Sequence, residues 1–350
     1  MTFLEQLGVT APIIQAPMAG TSTPLLAARV SEAGALGSVA VGAVDAAGAT
    51  AMIGEVRALT SRPFNVNLFV HAPPRANPAI EAAWIDALAP TFRSFGAEPP
   101  PVLKPAYASF ANDDAMFAAI IAAAPPVVSF HFGLPAADRV AALKQAGCLL
   151  IATATNLDEA LASKAAGMDA VVAQGWEAGG HRGMFDPDAD DTRLGTVALT
   201  RILVVQAGLP VIAAGGIMDG QGIRAALDLG AVAAQLGTAF IACPESAADA
   251  AYRAVLSSDA AGHTEMTRAI SGRPARCLPN RFTALGRSLA STVPDYPIAY
   301  DAGKALNAAA RAAGETGFAA QWAGQGAPLA RALPASDLVA TLLEEMTTSA

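Results

Sequence analysis

Eight short apolar runs recur along the chain, separated by Ala-rich stretches with helical patterning, and this alternation restricts the fold more than any other feature. The runs are IIQAPM (13–18), LGSVAVG (36–42), FNVNLFV (64–70), VVSFHFG (127–133), CLLIATAT (148–155), AVVAQG (170–175), PVIAAGG (210–216) and AVAAQLGTAF (231–240). They are nearly continuously apolar instead of alternating, as strands covered on both faces are. The stretches between them include PLLAARVSEAG, PAADRVAALKQAG, NLDEALASKAAG and GQGIRAALDLG. Several open at Pro, Asn or Asp and close at Gly, as capped helices do. Eight strand–helix units point to an α/β fold, a closed (β/α)8 TIM barrel. A doubly wound open sheet accounts for the regular spacing less well.

The unit after the third run is overlong, with Pro-rich segments at 72–78 and 98–105, and beyond Phe240 the alternation stops. A basic loop, SGRPARCLPNRF, follows, and then helix-like segments to the end. The expected organisation is a barrel over residues 1–243, a smaller cap or substrate subdomain over 244–310, and a C-terminal helical segment over 311–350 packing back on the barrel.

Composition excludes several classes of function. With 53% apolar and 15% charged residues among 350, the chain can bury a large core. A net charge of −8 offers no basic footprint for nucleic acid. Cys148, Cys243 and Cys277 are too scattered for a disulfide framework or a zinc site. No metal is expected, since no His or carboxylate stands at ligand spacing. The start, MTFLEQLGV, lacks a signal-peptide pattern, and Gly, Pro or a charge interrupts every apolar run well short of about 18 residues. A cytoplasmic protein with no membrane partner is the expectation.

Active sites of such barrels lie at the C-terminal ends of the strands, and the unusual residues gather there. Ala16, Pro17 and Met18 end the first run, Asn67 lies in the third and His131 in the fourth. Gln174 ends the sixth, Gly215 and Gly216 the seventh, and Gln235, Gly237 and Thr238 fall in the eighth. Each has a plain structural reading taken singly: a turn, a cap, a satisfied core histidine. Three amides inside apolar strands are costly without partners, and together they suit a heterocycle. The paired glycines suit close approach to a phosphate. Neither a P-loop nor a GxGxxG fingerprint is present. His181, in the polar loop GWEAGGHRG, reads as an exposed imidazole titrating near neutrality. Tyr296, Tyr300 and Lys304 stand at i, i+4, i+8, one face of a helix.

Six motifs in order, IIQAPMAG, FNVNLFV, SFHFG, AQGWEAGGHRG, VIAAGGI and QLGTAF, together with YPIAYDAGK and GQGAPLAR, resemble the bacterial class of nitronate monooxygenases, FMN-dependent TIM barrels once called 2-nitropropane dioxygenases. The resemblance runs from about residue 10 to 345. It implies a non-covalent FMN held by Ala16, Pro17, Met18, Asn67, Gln174, Gly179, Gly216, Gln235, Gly237 and Thr238. It implies substrate contacts from His131, Tyr296, Tyr300 and Lys304, with His181 as the catalytic residue. The implied reaction oxidises alkyl nitronates of the propionate 3-nitronate type with O2 to an aldehyde or semialdehyde plus nitrite, in a monomer or homodimer. Protonated His and Lys would attract such an anion. Two departures from the family pattern stand out: Asn65, where Gly is usual and the local backbone could change, and Cys277, where a small residue is common. The alternatives are an FMN-dependent NAD(P)H:quinone or enoyl-ACP-type reductase on the same barrel, and a non-catalytic flavin-binding scaffold.

Overall fold

The computed structural model describes residues 3–348; the outermost residues of the first and third expected segments lie outside it. Eight parallel strands form the central sheet: β1 (Ile13–Gln15), β2 (Gly37–Ala40), β3 (Phe64–Phe69), β4 (Val127–His131), β5 (Leu149–Ala154), β6 (Ala170–Gln174), β8 (Val211–Ala214) and β9 (Ala233–Leu236). Their order is β1-β9-β8-β6-β5-β4-β3-β2. The ring closes where Gln15 N donates to Leu36 O and Leu36 N to Ile13 O, at 2.9 and 3.0 Å. This is the (β/α)8 barrel that the spacing of the runs predicts.

The runs are apolar throughout because each face of a strand meets a different core. In β3, Phe64, Val66 and Leu68 pack outward against helices. Ile14, Leu36, Val127, Ile151, Val172 and Ile212 fill the barrel, joined by Phe3 and Leu7 of the first helix. The helix starts behave as their sequences require: Asn156 Oδ1 accepts from Glu159 N at 2.9 Å. Gly167, just past that helix, has φ +86°, which a β-carbon would oppose.

Two amides replace apolar side chains in these strands. Gln15 is fully buried; its Oε1 accepts from Ser38 N, and its Nε2 donates to Ser22 Oγ, both at 2.8 Å. Met18 N also donates to Ser22 Oγ, at 2.9 Å, which fixes the turn after β1. Asn65 Nδ2 donates to Ser38 Oγ at 3.1 Å. The residue leaves β3 undistorted: it pairs with Ser38 on one side and Val127 on the other. The expected change of backbone at that position is therefore absent.

The last strand is shorter than its sequence suggests. β9 stops at Leu236 and the chain turns directly into a helix, Thr238–Ile241. Both segments are apolar, so hydropathy does not mark the change. A second, three-stranded antiparallel sheet has no signature in the sequence. It joins β7 (Gly180–His181), β11 (Ala275–Cys277) and β10 (Glu265–Thr267). Later helices return to the barrel: Ile298–Ala312 lies against Pro78–Ser94, and Ala335–Thr347 packs on Gly220–Asp228 and Pro24–Glu32. Among the described residues no helix is long and apolar enough to cross a membrane.

Barrel and helices meet most tightly at Gly37, where an added β-carbon would overlap the Ala27 carbonyl. Gly37→Ala should cost about 1–3 kcal/mol, read as a lower urea midpoint; an unchanged midpoint would contradict this packing.

Candidate functional site

A cavity of about 680 Å³ opens at the C-terminal mouth of the barrel, a volume in the range of cofactor and ligand sites. All the residues singled out in the sequence line it: Ala16, Pro17 and Met18 after β1, Asn67, His131, Gln174, Gly179, His181, Gly216, Gln235, Gly237, Thr238, Tyr296, Tyr300 and Lys304.

One wall is backbone. Gly215 and Gly216 have φ +124° and +71°, angles that other residues resist. The helix Thr238–Ile241 starts at Gly237 with no side-chain cap, so no side chain satisfies its first N–H groups. Thr238 Oγ1 accepts from Gly324 N at 2.9 Å and keeps its proton to donate. Gln235 has no side-chain hydrogen bond among the described residues. Asn67 Nδ2 donates to Ser129 Oγ at 3.0 Å and Ser129 O at 3.2 Å. At Gly179, which also lines the cavity, a β-carbon would strike Gly324 N and Ala323. Glycine at 179 thus lets the loop close on residues 323–324.

Gln174 organises the opposite side. Its Nε2 donates to His181 O at 3.0 Å, and its Oε1 accepts from Gly183 N at 2.7 Å. The acceptor and one donor are thus spent on protein, leaving one N–H for a ligand. The loop between is pinned further. Glu177 accepts from Thr196 N and Oγ1 at 2.8 and 2.9 Å, placing a carboxylate at the start of the helix Thr196–Gln206. The buried Arg182 grips Asp191 through Nε and Nη2 at 2.8 and 3.0 Å. Strand β7 then pairs with β11, His181 opposite Ala275.

His181 is therefore not the exposed imidazole expected from AGGHRG. Its ring lies among Trp322, Tyr296 and Phe132, with centroids 5.1, 5.4 and 5.6 Å away. Desolvation, the neighbouring His131 and the Arg273 charge lower its pKa to about 3. His131 Nε2 donates to His181 O at 3.3 Å; burial foremost, then Arg273, lowers the His131 pKa to about 4. Both imidazoles are neutral at pH 7, so neither is the protonated attractor expected. His181 Nε2 meets Ser271 Oγ at 2.9 Å, and that hydroxyl also reaches Arg273 O at 3.3 Å. Whichever of the two receives the serine proton sets the ring's tautomer.

The third wall is aromatic. Tyr296 lies outside the helix, which begins at Ile298 after Pro297, so the three residues do not share one helical face. The tyrosine still reaches the cavity. Its hydroxyl is buried and has no hydrogen-bond partner among the described residues. Tyr300 and Lys304 do lie on the helix, and the lysine Nζ sits 4.1 Å from the Tyr107 ring centre and 5.5 Å from that of Tyr300. Partial burial lowers the lysine pKa, and burial pushes Tyr300 up to about 12. Tyr107, Ser129, Phe132 and Trp322 also line the cavity without any signal in the sequence that marks them. Cys277 is buried on β11, its thiol pushed up to about 12 by desolvation.

Comparisons with known proteins place the chain in a family. A family model described as nitronate monooxygenase matches residues 2–345. A nitronate monooxygenase of Paraburkholderia phytofirmans is 60% identical over 98% of this chain and 94% of its own length. One of Pseudomonas aeruginosa is 56% identical over 98% of both chains. Among solved structures, nitroalkane oxidase from Streptomyces ansochromogenes superposes with a TM-score of 0.89 at 40% identity, covering 98% of this chain and 97% of that one. FabK from Thermotoga maritima does so at 0.73 and 29%, covering 98% and 94%.

The buried histidines fix the sign of a pH effect. His71, His131 and His181 all have native pKa values below the ordinary 6.5, at about 4, 4 and 3. The unfolded chain binds protons first as pH falls, so the stability they contribute is full above pH 6.5 and is lost between there and about pH 3–4. Denaturant midpoints should drop from pH 7 to pH 5, with a shallower drop in a His131→Asn/His181→Asn double variant. A flat or rising midpoint would contradict the burial.

Proposed function

The chain belongs to the nitronate monooxygenase family, and from that premise we propose that its cavity holds FMN non-covalently and oxidises alkyl nitronates with O2 to a carbonyl product and nitrite. The wall formed by Ala16–Met18, Gly216 and Gly237–Thr238 suits the cofactor. Its glycines leave the space that a β-carbon would fill, the uncapped helix start offers N–H groups to a phosphate, and the unengaged Gln235 amide and Asn67 suit a polar ring edge. When bound, the flavin supplies the electron transfer and oxygen chemistry.

The observation that carries the substrate reading is the wall of this cavity to which Tyr296, Tyr300 and Lys304 contribute, with the Tyr296 hydroxyl buried and lacking a hydrogen-bond partner among the described residues. Burying a polar group unpaired is costly, and an oxygen-bearing substrate removes that cost. A nitronate is a planar anion with two oxygens. Tyr296 Oη donates to one of them, Tyr300 orients the other, and Lys304 at the rim draws in the charge. His181, neutral and held by Ser271, hydrogen-bonds the reacting group, and His131 backs it. No general base is needed to generate the substrate, because the nitronate has already lost its proton; the imidazole's task is placement. The rings of Phe132, Trp322 and Tyr107, which line the cavity, keep water from the reacting atoms.

The reductase alternative lacks comparable support, since the relatives at 56–60% identity are named nitronate monooxygenases. The three cysteines are buried and unpaired, in keeping with a reducing, cytoplasmic setting.

Oxygen uptake by the purified yellow protein tests this reading, with propionate 3-nitronate and propyl-1-nitronate as substrates. The expected result is oxygen consumption with nitrite release, and a loss of roughly 10²-fold in kcat/KM in His181→Asn. Absence of uptake, with rapid quinone-dependent NADH oxidation instead, would overturn it.

A further inference from the structure

The basic loop that follows the barrel is more than a solvated turn. Ser271, Gly272 and Arg273 form a tight bend behind the aromatic wall. Gly272 has φ +92°, and a β-carbon there would overlap Pro294 O and crowd Tyr296 N. Ser271 holds His181, as described. Arg273 is only 2% exposed. Its guanidinium donates to two backbone carbonyls, those of Met184 and Arg182, the latter at 3.5 Å. Among the described residues no carboxylate pairs with it. Glu159 and Asp186 act only through space, and Glu159 already accepts from Thr155 N, Thr155 Oγ1 and Phe185 N.

A buried cation without a counter-ion is expensive, so its position is informative. The guanidinium carbon stands 4.2 Å from the centre of the Phe132 ring. Phe132 is itself held at φ +76°, an angle costly for a phenylalanine. The same ring meets His131, Tyr296 and His181 at 4.4, 5.3 and 5.6 Å and lines the cavity. One ring thus separates an uncompensated positive charge from the place where the substrate sits, and a low-dielectric partition transmits that charge with little loss.

We propose that Arg273 is the fixed positive charge by which this cavity selects the anionic over the neutral form of its substrate, acting through the Phe132 ring without touching the ligand. The proposal rests on the reading that the substrate is a nitronate, whose neutral counterpart is the nitroalkane. Arg273 is a positioning residue in this sense: it sets the potential in which Tyr296 and His181 meet the anion. It also explains how two neutral imidazoles can line an anion site. Burial disfavours their protonation, the cation behind them adds to that effect, and it supplies the charge in their place.

Propanoate and propanamide are the probes. They have the same shape, and the carboxylate matches a nitronate as a planar two-oxygen anion. Titration calorimetry on the purified protein measures both without turnover, so the result is independent of whether oxygen uptake is found. Wild type should prefer propanoate. Arg273→Met should weaken propanoate about ten-fold while leaving propanamide within about two-fold, and Arg273→Lys should restore most of the loss. Equal weakening of both probes, no change in either, or no preference in wild type would overturn the proposal. If Arg273→Met does not fold, Arg273→Gln, which removes the charge but keeps N–H groups for the Met184 and Arg182 carbonyls, decides: propanoate should weaken about ten-fold with propanamide within about two-fold, and equal weakening of both or no change would overturn the proposal.

Discussion

Everything on the substrate side of this molecule depends on one amide. Gln174, at the last position of β6, binds His181 O and Gly183 N together, and so fastens the barrel to the second sheet. A barrel strand alone ends in open space. Here its end becomes the anchor of β7, β7 pairs with β11, and β11 brings residues 271–277 to the mouth. Through this chain of contacts, residues nearly a hundred positions apart surround one imidazole. Arg182 reinforces the clamp by donating to the Gln174 carbonyl while gripping Asp191.

The clamp also decides the electrostatics. Once His181 is held among Phe132, Tyr296 and Trp322, desolvation outweighs any benefit of protonation, and its pKa falls. The positive charge that an anionic substrate requires then comes from guanidinium and ammonium groups, which hold their protons even when partly desolvated. Arg273 remains a cation with its pKa lowered to about 10 by burial. Lys304 stands at the rim over tyrosine faces. On the proposed reading the charge comes from Arg273, which burial leaves at about 10, with Lys304 at the rim, and the histidines serve to orient.

The barrel was legible because burial on both faces writes each strand as a continuous apolar run. The same rule misplaced the end of β9: Leu236 and Phe240 are equally apolar, and only backbone geometry at Gly237 separates strand from helix. Every cofactor and substrate position read from the motifs lines the cavity, since strand ends in a closed barrel converge whatever their loops do. The environment of His181 was not legible. Its neighbours in sequence are glycines and an arginine, whereas the groups that bury it lie at 132, 296 and 322. Arg273 was hidden for a similar reason, since a basic loop normally reads as solvent-facing and nothing local shows that Phe132 covers it. Tyr296 kept its place in the site but lost its helix, because Pro297 follows it.

On this reading the imidazoles at the cavity are neutral and the positive charge lies behind them. The most direct measurement is the ¹⁵N spectrum of the protein with ¹⁵N-labelled histidine, followed from pH 8 to pH 5. Assigned through His131→Asn and His181→Asn, both rings should show one protonated and one bare nitrogen across the whole range. A resonance pair from either residue moving to the doubly protonated position between pH 7 and pH 6 would contradict it.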